Sequence, residues 1–185
     1  MPMHIIFGLD HFLQNLHHVA LTDEGRHYED DQKRHFAAVL EESITRNGVT
    51  LICEECRFNA GSLGSQLAEK HGCSHVNVTM PHAERDRLKI PPNYEELPDE
   101  KARVIALFEE YMAGVVRREA NEDDVVLLMV GDIHRGAMAA RMAEAGAVLG
   151  VRGLEDFEWY EGPPAEEAGT GNFLGSWKAA KRDIV

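Results

Sequence analysis

Val125-Val126-Leu127-Leu128-Met129-Val130 runs directly into Gly131-Asp132-Ile133-His134. Six consecutive apolar residues without polar alternation read as a strand covered on both faces, the kind found in parallel sheets. Four further short runs fit the same reading. They are His4 to Phe7, ending at Gly8; Val49 to Cys53; His75 to Val78; and Ala147 to Val151. Helical stretches fall between them. Over residues 28–46, Phe36, Val39, Leu40 and Ile44 recur at three and four, and Asn47-Gly48 supplies a left-handed stop. Residues 62–70 read as a short helix stopped near Gly72. Residues 99–120 read as a long one, with Asp99 as N-cap and a face of Val104, Leu107, Phe108, Met112 and Val115. A further helix runs from 135 to about 145, closed by Gly146, whereas Pro81, Pro91, Pro92 and Pro98 predict loop over 80–98. Strands alternating with helices predict a three-layer α/β fold: a mostly parallel central sheet with helices on both faces. The single domain is expected over residues 1–152. Residues 153–185, rich in acid, glycine and proline, are expected to form a C-terminal appendage, partly disordered, with Trp159, Tyr160 and Trp177 as anchors.

A chain of 185 residues is long enough to bury a core without disulfides or a structural metal. Hydrophobic residues at 44% and charged residues at 28% argue against wholesale disorder. The net charge of −13 repels phosphate backbones, so no nucleic-acid partner is expected. No apolar run approaches the roughly 20 residues of a membrane helix, and the first residues carry no basic leader, so no membrane partner or export is expected. Cys53, Cys56 and Cys73 are few and odd in number, which suggests a reducing cytoplasm. Cys53-Glu54-Glu55-Cys56 has redox spacing, but two carboxylates in the gap push thiol pKa values the wrong way for a reactive thiolate.

In open parallel sheets, ligands bind beyond the carboxyl ends of the strands. Polar clusters sit there. Gly8-Leu9-Asp10-His11 follows the first strand, with Gln14 one turn on; Glu54-Glu55 follows the second; Gly131-Asp132-Ile133-His134 follows the fourth. Parallel strands put all three on one rim. Imidazole and carboxylate together suit a divalent metal such as manganese, iron or zinc, with His11, Glu54 and His134 as the ligand set. Without a metal, a histidine beside a carboxylate can serve as general base. The candidate catalytic residues are therefore His11, Glu54, Glu55 and His134, with Asp10 orienting a histidine. Gln14, Gly131 and Arg85 are candidates for substrate contact: Gly131 for a sharp turn, Arg85 to hold an anionic group. The plain alternatives are helix capping for Asp10 and Asp132, a solvated strand end for the two glutamates, and a salt-bridged surface loop for residues 81–87.

The segment Val130-Gly131-Asp132-Ile133-His134, with Gly136 and the following helix to Glu144-Ala145-Gly146, is similar to the G-x-x-H segment of the TraB, Tiki and ChaN-like superfamily, which includes the erythromycin-esterase type. Gly8, Asp10 and His11 resemble its first motif, and Glu54-Glu55 its second, in order over residues 4–146. The chain also resembles small bacterial proteins whose first motif is glycine, two residues, histidine, two residues, glutamine, matching Gly8, His11 and Gln14. Asp10 stands where that superfamily usually has glutamate. The resemblance implies an α/β fold with its site at the strand ends, and hydrolysis of a peptide or ester bond in a small-molecule or peptide substrate, metal-dependent in the Tiki type. ChaN-like relatives imply instead a binding module for haem or another small ligand. A homodimer is compatible with either.

Overall fold

The computed structural model describes residues 1–14, 23–56, 61–160 and 162. Five strands form the sheet: β1 (Met3–Leu9), β2 (Leu51–Glu54), β3 (Ser74–Asn77), β4 (Val125–Gly131) and β5 (Ala147–Arg152). Their order is β3-β2-β4-β1-β5, and every pairing is parallel. The helices are α1 (His11–Gln14), α2 (Asp23–Asn47), α3 (Leu63–His71), α4 (His82–Arg87), α5 (Pro98–Glu119) and α6 (Arg135–Ala143). The protein is thus a three-layer α/β fold, as the alternation of apolar runs and helical faces predicts.

Side-chain alternation along the strands sorts the core into two halves. Ile5, Phe7 and Leu9 of β1 and Leu127 and Met129 of β4 pack under Phe36, Leu40 and Ile44 of α2 and Leu63 and Leu67 of α3. Ile6, Leu128 and Val130 face the other way, against Val104, Phe108 and Met112 of α5 and Met138 and Met142 of α6. All seven residues of β4 are buried. A strand flanked by β1 and β2 and covered on both faces must be apolar throughout, which is why its sequence shows no alternation.

Local differences have local causes. The proline-rich stretch contains α4 and a single 3-10 turn over Tyr94–Glu96. The N-cap of the long helix falls two residues early, at Leu97 rather than Asp99, because Pro98 occupies the first turn, where a missing N–H costs nothing; Asp99 sits inside that turn and Leu97 caps without a side-chain bond. Residues 153–160 pack onto the core. Leu154 and Tyr160 are buried, Phe157 stacks on Phe7 at 6.4 Å, and Gln32 Nε2 donates to the Trp159 carbonyl at 2.9 Å. Trp177 and the rest of the expected appendage beyond 162 lie outside the described residues. Among the described residues, no helix is long and apolar enough to cross a membrane.

Candidate active site at the strand ends

The three central strands, β2, β4 and β1, are the three whose carboxyl ends carry the polar clusters. Gly8 pairs with Val130 and Leu9 with Gly131, while Glu54 pairs with Met129. Asp10-His11, Glu54-Glu55 and Gly131–His134 therefore leave the sheet side by side.

Glu54 ends β2 on the same face as Ile52, toward α1 and α3, and is fully buried. Its Oε1 accepts from Gln14 Nε2 at 3.1 Å and from the Gly64 backbone N–H at 3.3 Å. Its Oε2 accepts from the Ser62 hydroxyl at 2.5 Å and pairs with His75 Nε2 at 3.0 Å. Ser62 is the N-cap of α3, its oxygen also accepting from Ser65 N–H, so the carboxylate lies at the positive end of that helix. A side chain on residue 64 would run into the carboxylate, which accounts for glycine there.

Glu55 points to the other face. Its Oε2 accepts from the Gly131 N–H at 2.8 Å, and its Oε1 lies 3.8 Å from His134 Nε2. His134, buried at the end of the 3-10 turn after β4, bonds through Nδ1 to Glu109 Oε1 of α5 at 3.2 Å. His11, partly exposed at the start of α1, bonds through Nδ1 to Gln14 Oε1 at 2.8 Å. Its Nε2 faces Gly131: a methyl group there would come within 3.2 Å of His11 Nε2 and 3.4 Å of Glu55 Oε2. Gly131 has φ −53°, so it is not needed for a sharp turn. Its contribution is the missing side chain where a histidine and a carboxylate converge.

Asp10, expected to orient a histidine, accepts instead from the Tyr160 hydroxyl at 2.8 Å, and its backbone carbonyl takes the Leu13 N–H of α1. Burial raises the Asp10 carboxyl above its ordinary range, only partly offset by the Tyr160 bond and by His11. The same burial and bond push the Tyr160 hydroxyl up. Asp132 is likewise raised by burial, against the opposing pull of Arg135, which it faces at 3.4 Å while Arg135 also pairs with Glu155. Arg85 is engaged inside the fold: Nε donates to the Met80 carbonyl at 3.0 Å and the guanidinium lies over the Phe108 ring at 5.0 Å.

The structure thus brings His11, Gln14, Glu54, Glu55, Gly131 and His134 into one connected set. The residues that orient both histidines are Gln14 and Glu109, and Glu109, Ser62 and His75 join a site to which sequence reasoning did not assign them. For the ligand set expected of a divalent metal, Glu54 has both oxygens already committed, and among the described residues no three or more His, Cys, Asp or Glu side chains are grouped to hold a metal ion. Cys53 and Cys56 are buried and outside any disulfide, and burial pushes Cys53 up to about 12. Comparison of the chain with protein-family models, curated proteins and solved structures found no match.

Proposed function

We propose that this protein is a hydrolase acting on a peptide or ester bond of a small-molecule or peptide substrate, of the kind that the resemblance to the TraB, Tiki and ChaN-like superfamily implies. The observation that supports it is the convergence of His11 Nε2 and Glu55 Oε2 on the space beside Gly131 that a side chain would fill, both side chains partly open to solvent while their supports are buried. In this reading His11 Nε2 takes a proton from water as the oxygen bonds to the substrate carbonyl carbon. Glu55, held by the Gly131 N–H, compensates the positive charge that grows on the imidazole. Collapse of the tetrahedral adduct breaks the bond to the leaving group, which takes the proton back from His11. His134, oriented by Glu109, lies with its Nε2 3.8 Å from Glu55 Oε1 on the other side. No step requires a metal.

The test is hydrolysis of p-nitrophenyl acetate, p-nitrophenyl butyrate and a panel of short peptides by the full chain, with elemental analysis of protein purified without chelators. Wild-type turnover that falls about 100-fold or more in His11→Gln, with circular dichroism unchanged, supports the proposal. Equal rates in wild type and His11→Gln, or no turnover of any probe, overturn it. A stoichiometric transition metal required for turnover replaces the metal-free step, and spectral capture of haem without turnover replaces hydrolysis by binding.

A further inference from the structure

A neutral histidine works as a base only through the ring nitrogen that carries no proton, and which nitrogen that is depends on the partner of the other. His11 Nδ1 lies 2.8 Å from Gln14 Oε1. A carbonyl oxygen can only accept, so with this orientation of the amide Nδ1 carries the hydrogen and Nε2 is bare. The orientation of the amide is itself decided by chemistry. Gln14 is 2% exposed and its other end meets Glu54 Oε1 at 3.1 Å. Turned the other way, the Gln14 carbonyl would face a buried carboxylate oxygen, two acceptors together where no water can intervene. Glu54 cannot relieve this by turning, because Ser62, His75 and the Gly64 N–H hold its two oxygens.

We infer that Glu54 and Gln14 are positioning residues: a buried relay in which Glu54 fixes the Gln14 amide, the amide fixes the hydrogen on His11 Nδ1, and Nε2 is left as the free base facing Gly131. The catalytic importance of the relay rests on the proposed hydrolytic role of His11; the tautomer itself does not. Glu54 thereby acts at a distance from the reacting atoms, and Gln14, a candidate for substrate contact from sequence, acts on the histidine one turn before it. Glu54 comes from β2, Gln14 and His11 from α1, and the Ser62 and Gly64 contacts that hold Glu54 from the N-terminus of α3, so the state of one ring is tied to the packing of α1 and α3 against the sheet.

The test reads the tautomer without substrate, so it fails or succeeds independently of hydrolysis. Two-bond proton–nitrogen correlation spectra of the 15N-labelled full chain, at a pH where the imidazoles are neutral, separate protonated from bare ring nitrogens; His11→Gln assigns the His11 signals. The expected result is a protonated Nδ1 and a bare Nε2 in wild type. Gln14→Met removes the acceptor and shifts His11 toward the Nε2–H form, whereas Glu54→Gln, which can still present an oxygen to Gln14, keeps Nδ1–H. A wild-type spectrum with a bare Nδ1 overturns the relay, as does an unchanged tautomer in folded Gln14→Met. If Gln14→Met does not fold, the wild-type spectrum decides alone.

Discussion

Replacing Glu54 with alanine removes the acceptor on which four donors converge. Gln14 and Ser62 are each 2% exposed, so their N–H and O–H groups are stranded away from water. A stranded buried donor costs about 1–3 kcal/mol. His75 has a side chain 17% exposed and can turn to solvent, and the Gly64 N–H bond is long at 3.3 Å, so these two add little. The sum is about 2–6 kcal/mol, a large part of the roughly 5–15 kcal/mol that holds an ordinary domain together. Glutamine at the same place costs far less. Its carbonyl can meet Gln14 and the Gly64 N–H at the Oε1 position, and its amide can donate to the Ser62 oxygen and to His75 at the other, so about 1 kcal/mol is expected. In urea, with a slope near 2 kcal/mol per molar, the midpoint falls by about 1–3 M for Glu54→Ala and by about 0.5 M for Glu54→Gln. Far-UV circular dichroism follows both transitions. A Glu54→Ala midpoint within 0.5 M of wild type, or a glutamine variant as damaged as the alanine one, would refute the account of Glu54 as the acceptor that ties α1 and α3 to β2.

Three further outcomes follow from the same contacts. At pH 8 the Cys53 thiol lies about four pH units below its pKa, so Ellman's reagent should label neither it nor buried Cys56 rapidly; Cys73, half-buried and also raised by burial, should react slowly, and all three only after denaturation at full rate. His4 is 1% exposed with both ring nitrogens unpartnered, and burial lowers its pKa below 6.5, so folding stability should rise with pH up to the unfolded value and fall as acid protonates the ring in the unfolded chain. Subtracting the stability of His4→Leu from that of wild type between pH 5 and 7 isolates this slope, and a flat difference removes the claim. Asp10 has its pKa raised above 3.8, so the folded state holds the proton longer and stability falls as pH climbs through the folded pKa; Asp10→Asn, which can still accept from Tyr160, should be the more stable protein at pH 7 in thermal melts and lose that slope.

The fold was legible where the residues had one thing to do. A central strand buried on both faces needs only apolar side chains, and Val125 to Val130 says so without help from anything distant. The helices of residues 23–47 and 98–119 announce themselves through apolar positions at three and four, because each covers one face of the sheet. The turn of helix over His82–Arg87 was hidden because none of its residues is buried, so it has no apolar stripe to read. The packing of residues 153–160 was hidden for a different reason. Phe157 and Trp159 cover Phe7 and Phe36, both brought there by the sheet, and no local pattern reports a partner 150 residues away.

The site was legible down to its rim but not in its division of labour. The rule that ligands gather beyond parallel strand ends brings Asp10-His11, Glu54-Glu55 and His134 together, because it depends only on strand direction. What each carboxylate does depends on which face it takes, and neighbours in a strand take opposite faces. Glu54 follows Ile52 toward α1 and α3, where Ser62, Gly64 and Gln14 surround it. Glu55 turns toward α5, where Glu109 and His134 wait. A tandem pair that looks in sequence like two equivalent ligands is therefore one buried acceptor and one open carboxylate. The signal for Glu109 existed: it lies three residues before Met112 and four before Ala113 on the buried face of its helix, where a charge needs a partner. That partner could not be read from the helix, since His134 reaches it only after β4 has crossed between β1 and β2. At the end of the sheet the two faces open to each other, and there the missing side chain of Gly131 leaves room for His11, supported from one layer, and Glu55, supported from the other, to converge on one space.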